Sequence, residues 1–252
     1  MSIQTPRARY RQVADDLREA IRRGTYGPGT LLPSQPELAR KYGLNQTSIS
    51  RAIGLLEADG LVRTEHGRGS FVQDIPTAKR TRRIPSRGRG SGSSFAEEMR
   101  KIGLEPRTEL VQAEIIKPPV DIARRLDLGS DGEALIRKRE MFADDRPVQL
   151  ATSYIPHSVA GDVNLAFPDT GPTGIYERLA GRGFQVSRFA EEIESRRPSE
   201  EEAAFLRISP AQHVLEVTRL AYDRVGRVLE VTVNVFPSQL WRLSYEWSAD
   251  DE

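Results

Sequence analysis

The sequence predicts an α+β protein in two parts: a small helical domain closed by a β-hairpin, then a larger domain built on an antiparallel sheet. Three observations predict it. Apolar residues recur at helical spacing as far as Asp59 and mostly at strand spacing beyond it. Between the two patterns lies DIPTAKRTRRIPSRGRGSG, from Asp74 to Gly92, which is basic, rich in Pro, Gly and Ser, and without apolar periodicity, so it reads as a linker. The charge also changes sign: cut after Gly90, the first part holds 17 Lys+Arg against 8 Asp+Glu (+9) and the remainder 20 against 28 (−8). The 252 residues suffice for two domains with separate cores. The expected boundaries are 1–74, a linker over 75–92, and 93–252.

From Tyr10 to Arg23 the residues Tyr10, Val13, Ala14, Leu17 and Ile21 fall on one helical face, and Gly24 stops the helix. The turn-rich GTYGPGTLLP leads to Ser34, which has Glu37 three residues on, the spacing of a capping box. That second helix runs to about Tyr42, with Gly43 as its stop. Asn45 caps a third helix from Gln46 to about Asp59, with Ile49, Ala52, Ile53 and Leu56 inward and Gln46, Ser48 and Arg51 outward. Two helices across so tight a turn are a helix-turn-helix candidate. After Gly60, LVRTE, the tip His66-Gly67-Arg68-Gly69, and SFV form two short strands and their turn, a wing.

Beyond the linker, strands are expected near 109–116, 134–142, 148–154, 185–196, 213–223 and 227–236. Short helices are expected near 95–102, 121–126, 174–179 and 199–205. Asp223-Arg224-Val225-Gly226 is a hairpin turn between the last two strands. In 228–236, Glu230, Thr232 and Asn234 share one face and Val231, Val233 and Val235 the other, so one side is core and the other a pocket or solvent.

With no cysteine there is no disulfide framework, thiolate zinc site or cysteine nucleophile, and the three histidines, His66, His157 and His213, lack metal-site spacing. No cofactor is expected. The N-terminus has no apolar signal core and no stretch approaches the ~18 apolar residues of a membrane span, so a cytoplasmic protein is expected. A basic N-terminal part beside an acidic C-terminal part suits an electrostatic footprint on phosphates. Lys79, Arg80, Arg82 and Arg83 of the linker either add phosphate contacts or belong to a solvated spacer.

The run YRQVADDLREAIRRGTYGPGTLLPSQPELARKYGLNQTSISRAIGLLEADGLVRTEHGRGSFV resembles the winged helix-turn-helix of the GntR family of bacterial regulators, HutC subfamily. The second part, through SSFAEEMRKIGLEP, IRKRE, RPVQLATSYIP and RLAYDRVGRVLEVTVNVF, is similar to the UTRA ligand-sensing domain, which resembles chorismate lyase in fold. The resemblance implies a dimer that places the third helix in consecutive major grooves of an inverted-repeat operator, with the wing tip in the minor groove. Ser34, Gln46, Thr47, Ser48 and Arg51, with His66, Gly67, Arg68 and Gly69 of the wing, are the implied DNA contacts. Pro36, Gln46 and Ser50 stand where many relatives carry arginine, so bidentate guanine contacts are lost there and Gln46 suits adenine better.

For the effector, the resemblance implies Ser93, Ser94 and Phe95 at the domain entrance, Arg137 and Arg139 on one strand, Ser153 and Tyr154 on the next, and Glu230 on the last. Arg137 and Arg139, two apart, point to one side of a sheet, where they can clamp an anion or meet Glu114 or Glu192 in salt bridges. Ala151 stands where relatives commonly have glutamate and Phe236 where some have tyrosine, which implies a less hydroxylated or partly apolar ligand. The function implied is a sequence-specific transcriptional repressor released by a small molecule. Two other readings stay open: a constitutive repressor whose second domain only dimerises, and, remotely, an enzyme of lyase-like fold.

Overall fold

A computed structural model describes residues 8–73, 81–82, 95–161 and 174–245. The chain divides into two units, Met1–Ala78 with Arg197–His213, and Lys79–Arg196 with Val214–Glu252.

In the first unit α1 (Arg9–Arg22), α2 (Gln35–Tyr42) and α3 (Gln46–Ala58) precede the hairpin of β1 (Val62–Glu65) and β2 (Gly69–Val72). The expected caps form. Ser34 Oγ accepts from the Glu37 N–H while the Glu37 carboxylate accepts from the Ser34 N–H at 2.8 Å, and these bonds from the Ser34 hydroxyl and backbone hold the Glu37 carboxyl below its ordinary range. Gly43 closes α2 at φ 61°, a left-handed position that favours glycine. Asn45 Oδ1 accepts from the Ser48 N–H at 2.8 Å. Val13, Ala14 and Leu17 of α1 pack on Ile49, Ala52, Ile53 and Leu56 of α3, with Leu32, Leu38, Val62 and Val72 completing the core and Tyr10 and Ile21 at its margin. The stretch before α2, expected as turns, is strapped to β2: Leu32 N–H donates to Ser70 O and Val72 N–H to Thr30 O, both at 2.8 Å. Arg18 of α1 donates to Asp59 at the end of α3, and Glu57 of α3 accepts from the Thr64 N–H of β1 at 3.0 Å, so the wing is tied to α3 and α3 to α1.

Along the rest of the chain come β3 (Thr81–Arg82), α4 (Phe95–Lys101), β4 (Pro106–Ile116), α5 (Val120–Arg125), β5 (Ala134–Ala143), β6 (Arg146–Pro156), α6 (His157–Ala160), α7 (Gly174–Ala180), β7 (Arg188–Arg196), α8 (Glu200–Leu206), β8 (Val214–Tyr222), β9 (Val228–Pro237) and β10 (Leu243–Ser244). The antiparallel sheet runs β4-β5-β6-β9-β8-β7, two three-stranded meanders joined through β6 and β9. Its six strands and the helices α4, α5, α7 and α8 lie where the sequence places them. The β8–β9 turn is as expected, with Asp223 Oδ1 accepting from the N–H groups of Val225 and Arg227. The β5–β6 turn uses Asp144 and Asp145, both at positive φ, a conformation aspartate tolerates better than most residues.

The linker corrects one expectation. Thr81–Arg82 form β3, paired in parallel with β10, where no regular structure was predicted. A two-residue bridge leaves no periodicity to read. Lys79, Arg80 and Arg83 lie outside the described residues.

One face of the sheet is covered by α5, whose Ile122 packs with Leu126, Ala134, Leu220 and Val231, and with the half-buried Tyr154 and Tyr222. On the other face α6 and α7 contribute Val159, Ala160 and Leu179 to a cluster with Leu135, Ile155 and Leu229.

Candidate nucleic-acid interface and effector site

Along α3 the buried positions set the opposite face free. Gln46, Thr47, Ser50 and Arg51 are exposed there, while Ser48 is half-buried, with its backbone N–H engaged by the Asn45 cap. Ser34 is exposed at the start of α2, yet its hydroxyl is bound to Glu37 within the capping box. At the wing tip His66, Gly67, Arg68 and Gly69 are exposed. Gly67 sits at φ 73° and Gly69 at φ 110°, and a Cβ on Gly69 would stand 2.8 Å from Leu31 Cδ1, so glycine is required there by conformation and by space. Arg68 lies over the Phe71 ring and pairs with Glu65, which also pairs with Arg63.

The six-stranded sheet carries polar residues on the face that α7 approaches. The register lines up Arg137, Ser153, Thr232, Arg219 and Glu191 in one row across β5, β6, β9, β8 and β7, and Arg139, Ala151, Asn234 and Val217 in the next. This side is not open solvent. Arg137 is 1% exposed, Ser153 0%, Glu230 3%, Thr232 6% and Asn234 6%. Arg139 donates to Ser153 Oγ at 3.0 Å, and Ser153 Oγ lies 3.3 Å from Thr232 Oγ1. Gln149 Nε2 donates to Asn234 Oδ1 at 2.8 Å.

Charged groups cluster on this face. Burial, reinforced by the like charges of Arg139 and Arg178 and opposed by Glu230, brings the Arg137 guanidinium down to about 10, so it remains a buried cation at neutral pH. Glu230 is spanned by Tyr176 of α7, whose hydroxyl donates to Oε2 at 2.5 Å. Burial and then Glu230 hold that hydroxyl well above its ordinary pKa, which keeps it a donor. Arg219 is neutralised by Glu191, at 2.7 Å, and Glu191 also accepts from the Tyr245 hydroxyl at 2.5 Å. The Nε of Arg139 is buried with no hydrogen-bond partner among the described residues. The buried Arg137 and the half-buried Arg139 and Arg178 thus bring three positive charges near the Glu230 carboxylate, an arrangement chemically suited to an anion.

The salt bridges weighed from the sequence go elsewhere: Glu192 accepts from Arg125 at 2.6 Å and Glu114 from Gln112 at 2.6 Å. Tyr154 is corrected. It alternates with Ser153, so it falls on the α5 face, packed on Ile122 and Leu126, away from Arg137. Phe95 opens α4, which packs on β4, and Ser93 and Ser94 lie outside the described residues. Ala151 is buried opposite Arg139. Phe236 is fully buried and packs on Trp241 at 5.1 Å between ring centres, so that end of the sheet is apolar.

Sequence reading missed Tyr176, Arg178, Arg219 and Glu191. Strand alternation carried a signal for Arg219 and Glu191, which share a face once the register is known; nothing in the short segment GIYERLA singles out Tyr176.

Comparison with known proteins fits both regions. Residues 9–72 match the family model described as bacterial regulatory proteins, gntR family, and residues 101–241 match that of the UTRA domain. The chain is similar to the HTH-type transcriptional repressor NagR of Bacillus subtilis, 27% identical over 233 residues that cover 92% of each protein. It is 30% identical over 255 residues to an HTH-type transcriptional regulator of Streptomyces coelicolor, covering 96% of this chain and 94% of that one. A crystallised GntR-family transcriptional regulator superposes with a TM-score of 0.65 at 29% identity, over 97% of this chain and 99% of the other.

Proposed function

The chain belongs to the gntR family of bacterial regulatory proteins and carries a UTRA domain, and from that premise we propose that this transcriptional regulator is a homodimeric repressor released from an inverted-repeat operator by a small anionic effector. Its DNA-binding domain is assigned to 1–74, a basic linker to 75–92, and the effector-binding and dimerisation domain to 93–252. Gln46, Thr47 and Arg51 read the major groove, with Ser50 on the same exposed face, and Arg68 enters the minor groove between the two glycines that let the backbone approach. Ser34 supports α2 through its cap and, with Ser48, lies at the margin of this surface.

One observation carries the effector reading: Arg137 is 1% exposed, with the like charges of Arg139 and Arg178 as well as the Glu230 carboxylate acting on it. Burying such a cation is unfavourable unless something gains from it, and an anion held by Arg137, Arg139 and Ser153 supplies the gain. Glu230 with Tyr176 then faces a hydroxyl or amine of the same ligand, while Phe236 and Ala151 favour a compound that is apolar or small at that end. Binding, not catalysis, is the role assigned to this pocket, and the protein works in the cytoplasm, where its operator is. The effector shifts DNA affinity only by its differential affinity for two arrangements of the dimer.

The test begins with selection of genomic fragments on the purified protein, followed by mobility shifts at two salt concentrations against a scrambled competitor. A specific, salt-sensitive complex of dimer stoichiometry, released by one of inorganic phosphate, glycerol 3-phosphate or benzoate, is expected. A specific complex that a wide panel of anions neither releases nor stabilises against heat would leave a constitutive repressor.

A further inference from the structure

The wing holds a carboxylate where a surface made for phosphates would ordinarily carry none. Glu65 ends β1, opposite Gly69 across the hairpin, and its two carboxylate oxygens are divided between two arginines: Oε1 takes Arg63 Nη2 and Oε2 takes Arg68 Nη1. The Glu65 side chain is 20% exposed, against 47% for Arg63 and 70% for Arg68, so the acid lies inside the pair and the two cations outside it. The Phe71 ring lies under the Arg68 guanidinium at 5.4 Å and gives that side chain a second support. In the protein free of DNA, Arg68 is thus drawn back along the hairpin and half of the wing's formal charge is cancelled.

We propose that Glu65 is a specificity-determining residue that discriminates the operator from bulk DNA. The proposal rests on the wing's contact with DNA argued above. Bulk DNA rewards any nearby cation, whatever its orientation, because that binding is almost wholly phosphate electrostatics. Glu65 weakens it by occupying both arginines and by placing a negative charge next to the phosphates. The operator, by contrast, rewards Arg68 only when it is aimed into a narrow groove, and a side chain anchored by one carboxylate oxygen and an aromatic face is already limited in direction. Glu65 therefore lowers non-specific binding more than it lowers operator binding.

The experiment compares wild type, Glu65→Gln and Glu65→Asp on two duplexes, one selected from a random library by the wild-type protein and one its scrambled counterpart. Failure of the wild type to select any sequence would overturn the DNA-binding reading itself, independently of Glu65. Exposed ion pairs are weak, so Glu65→Gln is expected to tighten binding to the scrambled duplex by about threefold to tenfold, and to steepen its salt dependence by as much as ~0.9 in log–log slope. The gain on the selected duplex is smaller, so the ratio of the two affinities falls. Glu65→Asp keeps the charge and stays near wild type on the scrambled duplex. In an Arg63→Ala/Arg68→Ala background the effect of Glu65→Gln shrinks, because the cations it releases are gone. An unchanged or rising affinity ratio, or an undiminished effect in that background, would overturn the proposal.

Discussion

The two polar surfaces of this protein are built in opposite ways. On α3 and the wing, Gln46, Thr47, Ser50, Arg51 and Arg68 stand in water, supported by an apolar core behind them. On the sensor sheet, Arg137, Ser153, Thr232 and Glu230 are out of water and support one another. An exposed polar side chain needs no structural justification, since solvent satisfies it. A buried arginine among other arginines does, because each loses hydration and gains repulsion. On the proposed assignment, the sheet face gives up stability for binding, whereas the α3 and wing face is a display that folding barely notices. Substitutions should then have inverted signatures in the two regions.

Arg137→Met gives the largest effect and tests the buried side directly. Saturating a panel anion at ~100 times its Kd stabilises wild type by about 2.7 kcal/mol, and the substitution is expected to abolish that gain and release from the operator, with operator affinity unchanged. The ligand-free variant is expected to melt near wild type, because the lost attraction to Glu230 is offset by relief of the repulsion from Arg139 and Arg178 and by an apolar chain of similar length. Differential scanning calorimetry with and without the anion, alongside mobility shifts, reads both. A ligand-free variant that melts far below wild type would make Arg137 a structural residue and erase the contrast.

Tyr176→Phe sharpens it by about 1 to 3 kcal/mol. It removes the donor to the buried Glu230 carboxylate while keeping the ring against Phe189, at 5.4 Å between centres. The melting temperature should fall and effector affinity with it, and Tyr176→Phe/Glu230→Gln should recover part of the stability, since the orphaned charge is then gone. Non-additivity in that double-mutant cycle is the measurement. Additive losses would mean the bond does not hold α7 to the sheet.

How much of this was legible in the sequence follows from the same contrast. The core of the first unit could be read position by position, because Val13, Ala14 and Leu17 and then Ile49, Ala52, Ile53 and Leu56 repeat within single helices, and both caps are local motifs. Sheet strands were legible by alternation, down to the turn at Asp223. The sensor pocket is a matter of register between strands far apart in the chain, and a single sequence does not state register. Arg137 and Ser153 join the row of Thr232, Arg219 and Glu191 only after β6 meets β9, and Tyr176 reaches Glu230 across 54 residues. Tyr154 was recoverable: next to Ser153 in a strand, it had to face the other way. The β3–β10 bridge was not, being two residues of backbone pairing.

The smallest effect separates the two kinds of surface at one residue. Ser34 stands exposed beside the α3 face, where a DNA contact is expected by resemblance, but its hydroxyl is spent on the cap of α2, bonded to Glu37 at 2.7 Å and receiving the Glu37 N–H. Ser34→Ala removes an N-cap and is expected to lower stability by about 1 kcal/mol. Operator affinity falls as well if α2 frays, so a loss of binding alone decides nothing. Ser34→Asp is decisive. Made, like Ser34→Ala, in a Glu37→Gln background so that no carboxylate faces the new one, it restores the cap and complements the helix dipole while placing a negative charge towards phosphate. If Ser34 acts only as a cap, Ser34→Asp regains the melting temperature and most of the operator affinity lost in Ser34→Ala. If the hydroxyl also donates to a phosphate, Ser34→Asp regains the melting temperature and binds more weakly than Ser34→Ala, with the deficit growing as salt is lowered because the repulsion is then less screened. Paired thermal melts and mobility shifts at two salt concentrations distinguish the outcomes. The second of them would place Ser34 among the residues that water and DNA compete for, on the display side of the comparison.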